Sequence, residues 1–115
     1  AYAMGLRPSN HTDYSVAPID HMMTIWTAVN RRSRGGQIIG SSERVTPLQA
    51  LKAITINGAY IYREEASKGS IEVGKRADLV ILSANPLKVK PDAIRDIKVM
   101  ETIKDGKTIY TASAK

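Results

Sequence analysis

The chain has no cysteine and no phenylalanine, only two histidines, and no long apolar run. Each absence removes a class of function. Without cysteine there is no disulfide framework and no thiolate metal site, and the composition fits a reducing, cytoplasmic compartment. No stretch approaches the about 18 apolar residues that a membrane-spanning helix needs, and the N-terminus lacks the basic-then-apolar layout of a signal peptide. Only His11 and His21 offer imidazole ligands, and no His-x-His pair is present. The tyrosines do not alternate with arginines, which argues against a base-stacking platform for nucleic acid.

What remains is an ordinary globular composition: 115 residues, 43% hydrophobic and 24% charged, enough for one modest domain with a real core. The net charge of +6 is scattered, apart from one tight cluster at Arg31, Arg32 and Arg34. Nucleic-acid binding through those three arginines is a minor alternative reading, and it requires a salt-dependent affinity.

The first half of the chain reads as helical. Residues 1–18 form a helix tail or loop closed by Gly5, then a short extended piece through Asp13 that ends at Pro18. A helix follows from Asp20, with Met22, Ile25, Trp26 and Val29 on one face as core residues. His21 falls on its surface, and Gly35-Gly36 ends it in a basic loop. "TPLQALKAITINGAYIY" predicts a second helix, with Thr46 as N-cap, Pro47 at the first helical position and Gln49 completing a capping box. Its stripe is Leu48, Leu51 and Ile54, with Ala50 and Ala53 allowing close approach, and Gly58 suggests that another backbone passes near. Trp26, Tyr60 and Tyr62 read as core or interdomain packing rather than as a substrate cradle.

The second half reads as β. Ser70-Ile71-Glu72 predicts a short strand, with a turn at Gly74. Leu79-Val80-Ile81-Leu82 is a continuous apolar run of strand length, expected to be buried on both faces. A helical turn is expected at 91–94. "IKVMETIKDGKTIYTA" then predicts a hairpin around Asp105-Gly106, the signal of a two-residue type I′ turn.

The chemistry-bearing stretch is "SNHTDYSVAPID", residues 9–20. In an extended segment, side chains two apart leave the same face, so His11 and Asp13 would point together. Taken alone, such a pair is more often a polar, solvated turn.

The segment "KGSIEVGKRADLVIL" (68–82) resembles the Gly-x-Ile-x-x-Gly-Lys-x-Ala-Asp-Leu-Val signature of the amidohydrolase superfamily. Gly69 and Gly74 suit tight turns, Ala77 is small enough to pass beneath a neighbour, and Asp78 suits a turn cap before the strand. "VMETIKDGKTIY" is similar to the same family's closing hairpin. "HTDYSVAPIDHMMTIWTAVNRRSRGG" and "RVTPLQALKAITINGAYIY" resemble the end of the catalytic barrel in the amidohydrolase family 3 branch, which includes enzymes similar to N-substituted formamide deformylase.

The resemblance implies an α+β piece of a larger enzyme. Residues 1–66 would be the end of a (β/α)8 barrel, its last strand and helices, and residues 67–115 part of a flanking composite β-sandwich domain. It implies a metal-dependent hydrolase of C–N bonds, with a small amide or formamide substrate and a divalent metal, zinc in the family. Asp13 would be the catalytic carboxylate beside that metal: it accepts a proton from the activated water and passes it to the leaving nitrogen. His11 would contact substrate or orient Asp13, a place behind the reacting groups or a purely structural one being equally open to it. The other metal ligands would lie in a missing N-terminal part, so the piece alone should be inactive. Its unpaired edges predict self-association, or residues 1–18 left without strand pairing. The alternative is a non-catalytic α+β module that binds a partner chain through open β-edges.

Overall fold

The computed structural model describes residues 1–113; Ala114 and Lys115, the end of the expected β unit, lie outside them. Three α-helices, α1 (His21–Asn30), α2 (Pro47–Ile54) and α3 (Ile56–Ile61), precede three strands, β1 (Leu79–Leu82), β2 (Val99–Lys104) and β3 (Lys107–Thr111). Short 3-10 turns occupy Tyr2–Met4, Ser41–Glu43 and Pro91–Asp96.

α1 starts directly after Asp20, whose backbone is extended (φ −141°, ψ 94°). The Asp20 carboxylate accepts the Met23 N–H, satisfying one of the donors that a helix N-terminus leaves free. Met22, Ile25, Trp26 and Val29 are then buried, as their spacing predicts. They pack with Ala50 of α2 and with Ile94 and Ile97 from the 3-10 segment and its end. Polar groups pin that segment to α1: the Trp26 Nε1–H donates to the Asp92 carbonyl at 3.1 Å, and Asn30 Nδ2 donates to Pro91 O and Trp26 O, each at 3.0 Å. The core thus draws on both halves of the chain.

The second helix is split. Thr46 and Gln49 form the expected capping box, but the helix breaks at Thr55 (φ −120°, ψ −98°) into α2 and α3. The break falls in the β-branched run Ile54-Thr55-Ile56, whose crowded χ1 fits a helix poorly. The Thr55 hydroxyl also donates to the Leu51 carbonyl at 2.7 Å, a bond of the kind that bends helices. The break turns the buried face to Ala50, Ala53 and Asn57, and leaves Leu48 half exposed.

Gly58 is not a point of close approach, since a Cβ there would meet nothing within 4 Å. Gly69 is that point. Its φ is +91°, and a Cβ on it would lie 2.8 Å from Ile56 Cα and 2.9 Å from Ala59 Cβ. Gly58→Ala is therefore expected to stabilise α3 by about 0.5–1 kcal/mol, because it removes helix-disfavouring backbone freedom without a clash. Slower hydrogen exchange of the α3 amides would show it.

β1, β2 and β3 form one antiparallel sheet in that order. Asp105 (φ 48°) and Gly106 (φ 78°) both take positive φ, as a type I′ turn requires. The Asp78 carboxylate accepts the Asp105 N–H at 2.9 Å, so it anchors the hairpin turn from the neighbouring strand rather than capping a turn of its own.

Two strand expectations fail. Ser70-Ile71-Glu72 forms no strand: Ile71 and Val73 stand exposed, and the Ser70 hydroxyl and Lys75 ammonium bond to each other and to Glu72 in a closed loop. β1 is not buried on both faces either, with Val80 52% and Ile81 48% exposed. It has one strand neighbour, β2, and among the described residues no strand pairs with its outer edge.

Candidate functional site

Residues 1–18 carry no strand pairing among the described residues, one of the two outcomes expected for this segment. Instead the N-terminal stretch hangs on α2 and α3 through single bonds. The Tyr2 hydroxyl donates to Gln49 O at 2.9 Å, Asn57 Nδ2 donates to Pro8 O at 2.9 Å, and the Asn10 N–H donates to Ala53 O at 3.1 Å. Burial raises the Tyr2 phenol above its ordinary value, and a hydrogen bond with the Asn57 side chain offsets part of this.

Asp13 stands at the start of a turn, not in an extended strand. Its φ is +50°, a left-handed conformation that Asp tolerates better than most residues, and its carbonyl accepts the Val16 N–H at 2.6 Å. His11 is close by, with a different contact from the one its spacing suggests: its Nδ1 accepts the Asp13 backbone N–H at 3.1 Å. That bond fixes the imidazole as an acceptor at Nδ1 and leaves Nε2 free. Both side chains are exposed, and the Asp13 carboxylate engages no hydrogen bond or ion pair among the described residues.

His11 and Thr12 form part of the wall of an open cleft of about 800 Å³. Ala17, Pro18, Met23 and Trp26 give it an apolar side, and Arg32, Arg34 and Arg95 a cationic rim. Arg95 reaches it from far along the chain and stacks over the Trp26 ring at 4.8 Å. No local sequence pattern announces that approach. Arg32 and Arg34, two apart, were the visible part of the signal.

The remaining candidates fall elsewhere. His21 is exposed at the first position of α1. Tyr62 is 79% exposed and Tyr60 46%, so neither is core; the Tyr60 ring carries the Arg7 guanidinium at 4.6 Å. Among the described residues, no three His, Asp or Glu side chains converge as a metal would require. As a single member of a larger ligand set Asp13 fits, since its carboxylate is free, accessible and unneutralised.

Comparison with known proteins gives this geometry a setting. A family model described as the amidohydrolase family matches residues 1–110. The N-substituted formamide deformylase of Arthrobacter pascens is 34% identical over 106 residues, covering 92% of this chain and 20% of that protein. YtcJ of Bacillus subtilis (strain 168) is 29% identical over 112 residues, covering 95% and 21%. The crystal structure of an amidohydrolase from Thermotoga maritima MSB8 superposes with a TM-score of 0.73 at 25% identity, covering 96% of this chain and 24% of that one. The chain spans about a fifth of the length of the curated relatives it matches. Its small α+β fold, the three-stranded antiparallel sheet included, is that of the matching part of the Thermotoga protein, and the chain belongs to the amidohydrolase family.

Proposed function

We propose that the chain is the C-terminal part of a metal-dependent amidohydrolase that cleaves C–N bonds of small amides or formamides. Residues 1–66 would close its (β/α)8 barrel, and residues 67–115 would form part of its β-domain. The observation that carries the reading is the free Asp13 carboxylate, on a residue whose backbone is bonded into a sharp turn and whose side chain has no partner among the described residues. The family match over residues 1–110 supports it.

A divalent ion, zinc in such enzymes, lowers the pKa of a bound water toward neutrality when present. Asp13 would stand as one ligand-side carboxylate beside it, the other ligands coming from the longer protein. Its role is to accept a proton at one carboxylate oxygen and return it to the departing nitrogen. The left-handed turn and the bond from its N–H to His11 Nδ1 restrict where that carboxylate can lie. His11 then presents Nε2 to whatever enters the cleft.

The test uses the full-length protein: metal analysis, and release of amine from a panel of formamides and N-acyl amides. Amine release that is lost on chelation and restored by zinc is the expected result. A full-length protein that hydrolyses none of them with metal supplied would leave the module that binds a partner through its open β-edges, the outer edge of β1 among them.

A further inference from the structure

The arginine cluster is not absorbed by this chemistry, and the structure gives it a definite shape. Residues 31–39 form a fixed loop: Arg32 bridges to Ile38, the Ile39 N–H donates to Arg31 O at 2.8 Å, and the Ser33 N–H donates to Gln37 O at 2.7 Å. Arg31 is spent inside the loop, its Nε donating to Ile39 O at 3.0 Å. Arg32, in the bridge to Ile38, and Arg34, in the turn closed by the Gly36 N–H donating to Ser33 O at 2.9 Å, both line the cleft, where Arg95 joins them. Arg32 gives one N–H to Gly36 O and keeps its other donors. None of the three is in a salt bridge among the described residues. The sole carboxylate in the wall, Asp20, is engaged in capping α1.

We propose that this cleft takes the carboxylate of an acyl-amide substrate, with Arg32 and Arg34 binding the anion and the side formed by Ala17, Pro18 and Met23 receiving the apolar part. The inference rests on the hydrolase reading, because His11 and Thr12, next to Asp13, share the wall and connect the cleft to the reacting end. The shape favours a small molecule. A cleft of about 800 Å³ falls in the range of small-ligand sites. Its one indole ring is buried beneath Arg95, so that ring offers no stacking surface for a nucleic-acid base. Guanidinium forks match carboxylates in paired hydrogen bonds.

Two measurements on the full-length protein test this. The first compares turnover of N-acyl amides in pairs, one bearing a carboxylate and the other the corresponding carboxamide. The double variant Arg32→Ala/Arg34→Ala should raise KM for the carboxylate member at least about tenfold, as expected for losing charge-assisted bonds, with the carboxamide changed by less than about twofold. Equal effects on both members, or none, overturn the proposal. The second is calorimetric titration with phenylacetate at low salt, independent of turnover. Binding that the double variant abolishes supports the proposal, even if no amide is hydrolysed and the hydrolase reading itself has failed. Tighter binding of inorganic phosphate or of an oligonucleotide than of phenylacetate overturns it. Both exchanged residues are exposed, and circular dichroism of the variant checks that the fold persists.

Discussion

Asp13→Asn in the full-length protein is expected to lower kcat for amide hydrolysis by about 10²- to 10⁴-fold, the range a positioned acid–base group contributes. Asparagine keeps the size of the side chain and tolerates the left-handed backbone (φ 50°) that the turn imposes, so the fold should be indifferent to the change. It removes the one property the chemistry needs, a carboxylate oxygen that accepts the proton of the attacking water and passes it to the leaving nitrogen. KM should move little by comparison, because on this reading the anion and the apolar part of the substrate are held in the cleft and not by Asp13. Steady-state kinetics on metal-loaded wild type and variant measure both parameters. A variant that keeps more than about a tenth of the wild-type kcat would remove Asp13 from the proton path. Metal content adds a second reading, since a fall would mark the carboxylate as a ligand as well.

The parts of this molecule that were legible in its sequence are those decided by contacts within a few residues. Thr46 as a cap, the Gln49 return bond and the paired positive φ of Asp105-Gly106 are all short-range geometry, and they stand as read. The spacing of Met22, Ile25, Trp26 and Val29 likewise settled which face of α1 is buried. What was misread depended on the rest of the fold. A strand at 70–72 and burial of both faces of β1 assume neighbours that do not lie on this sheet among the described residues. The break at Thr55 was a contest between a strong N-cap and a β-branched run. The cap governs the first turn only, so the run decided the geometry further on.

The site was legible in the same uneven way. Two residues of spacing put His11 and Asp13 together, and they are together, but through an imidazole nitrogen and a backbone N–H. The side-chain pairing that an extended strand would give depends on φ at Asp13, which the turn reverses. The cleft beyond them needs Arg95, and that residue arrives only because the 3-10 segment carrying it docks on α1 through Asp92 and Pro91.

Gly69→Ala should destabilise the packing of α3 against the 67–76 loop by about 2–4 kcal/mol, the scale of forced overpacking combined with a disfavoured backbone. Two effects add. The backbone at Gly69 has φ +91°, where an L side chain is strained whatever the space. The new methyl would also press on main chain, with Ile56 Cα at 2.8 Å and Ala59 Cβ at 2.9 Å, and neither atom is the flexible end of a side chain. Relief requires α3 to move, and α3 holds Asn57, whose Nδ2 bonds Pro8 O and so helps to place the stretch leading to Asp13. The expected signature in the full-length protein is therefore twofold: faster hydrogen exchange of the α3 amides, and a reduced kcat although no atom of the cleft has been altered. Gly74→Ala is the control, since Gly74 shares the φ of +91° but a Cβ there meets nothing within 4 Å. It should show the backbone strain alone, with α3 exchange and kcat unchanged. Equal behaviour of the two variants would mean that the glycine at 69 serves only its own turn, and that the loop does not hold α3 in place.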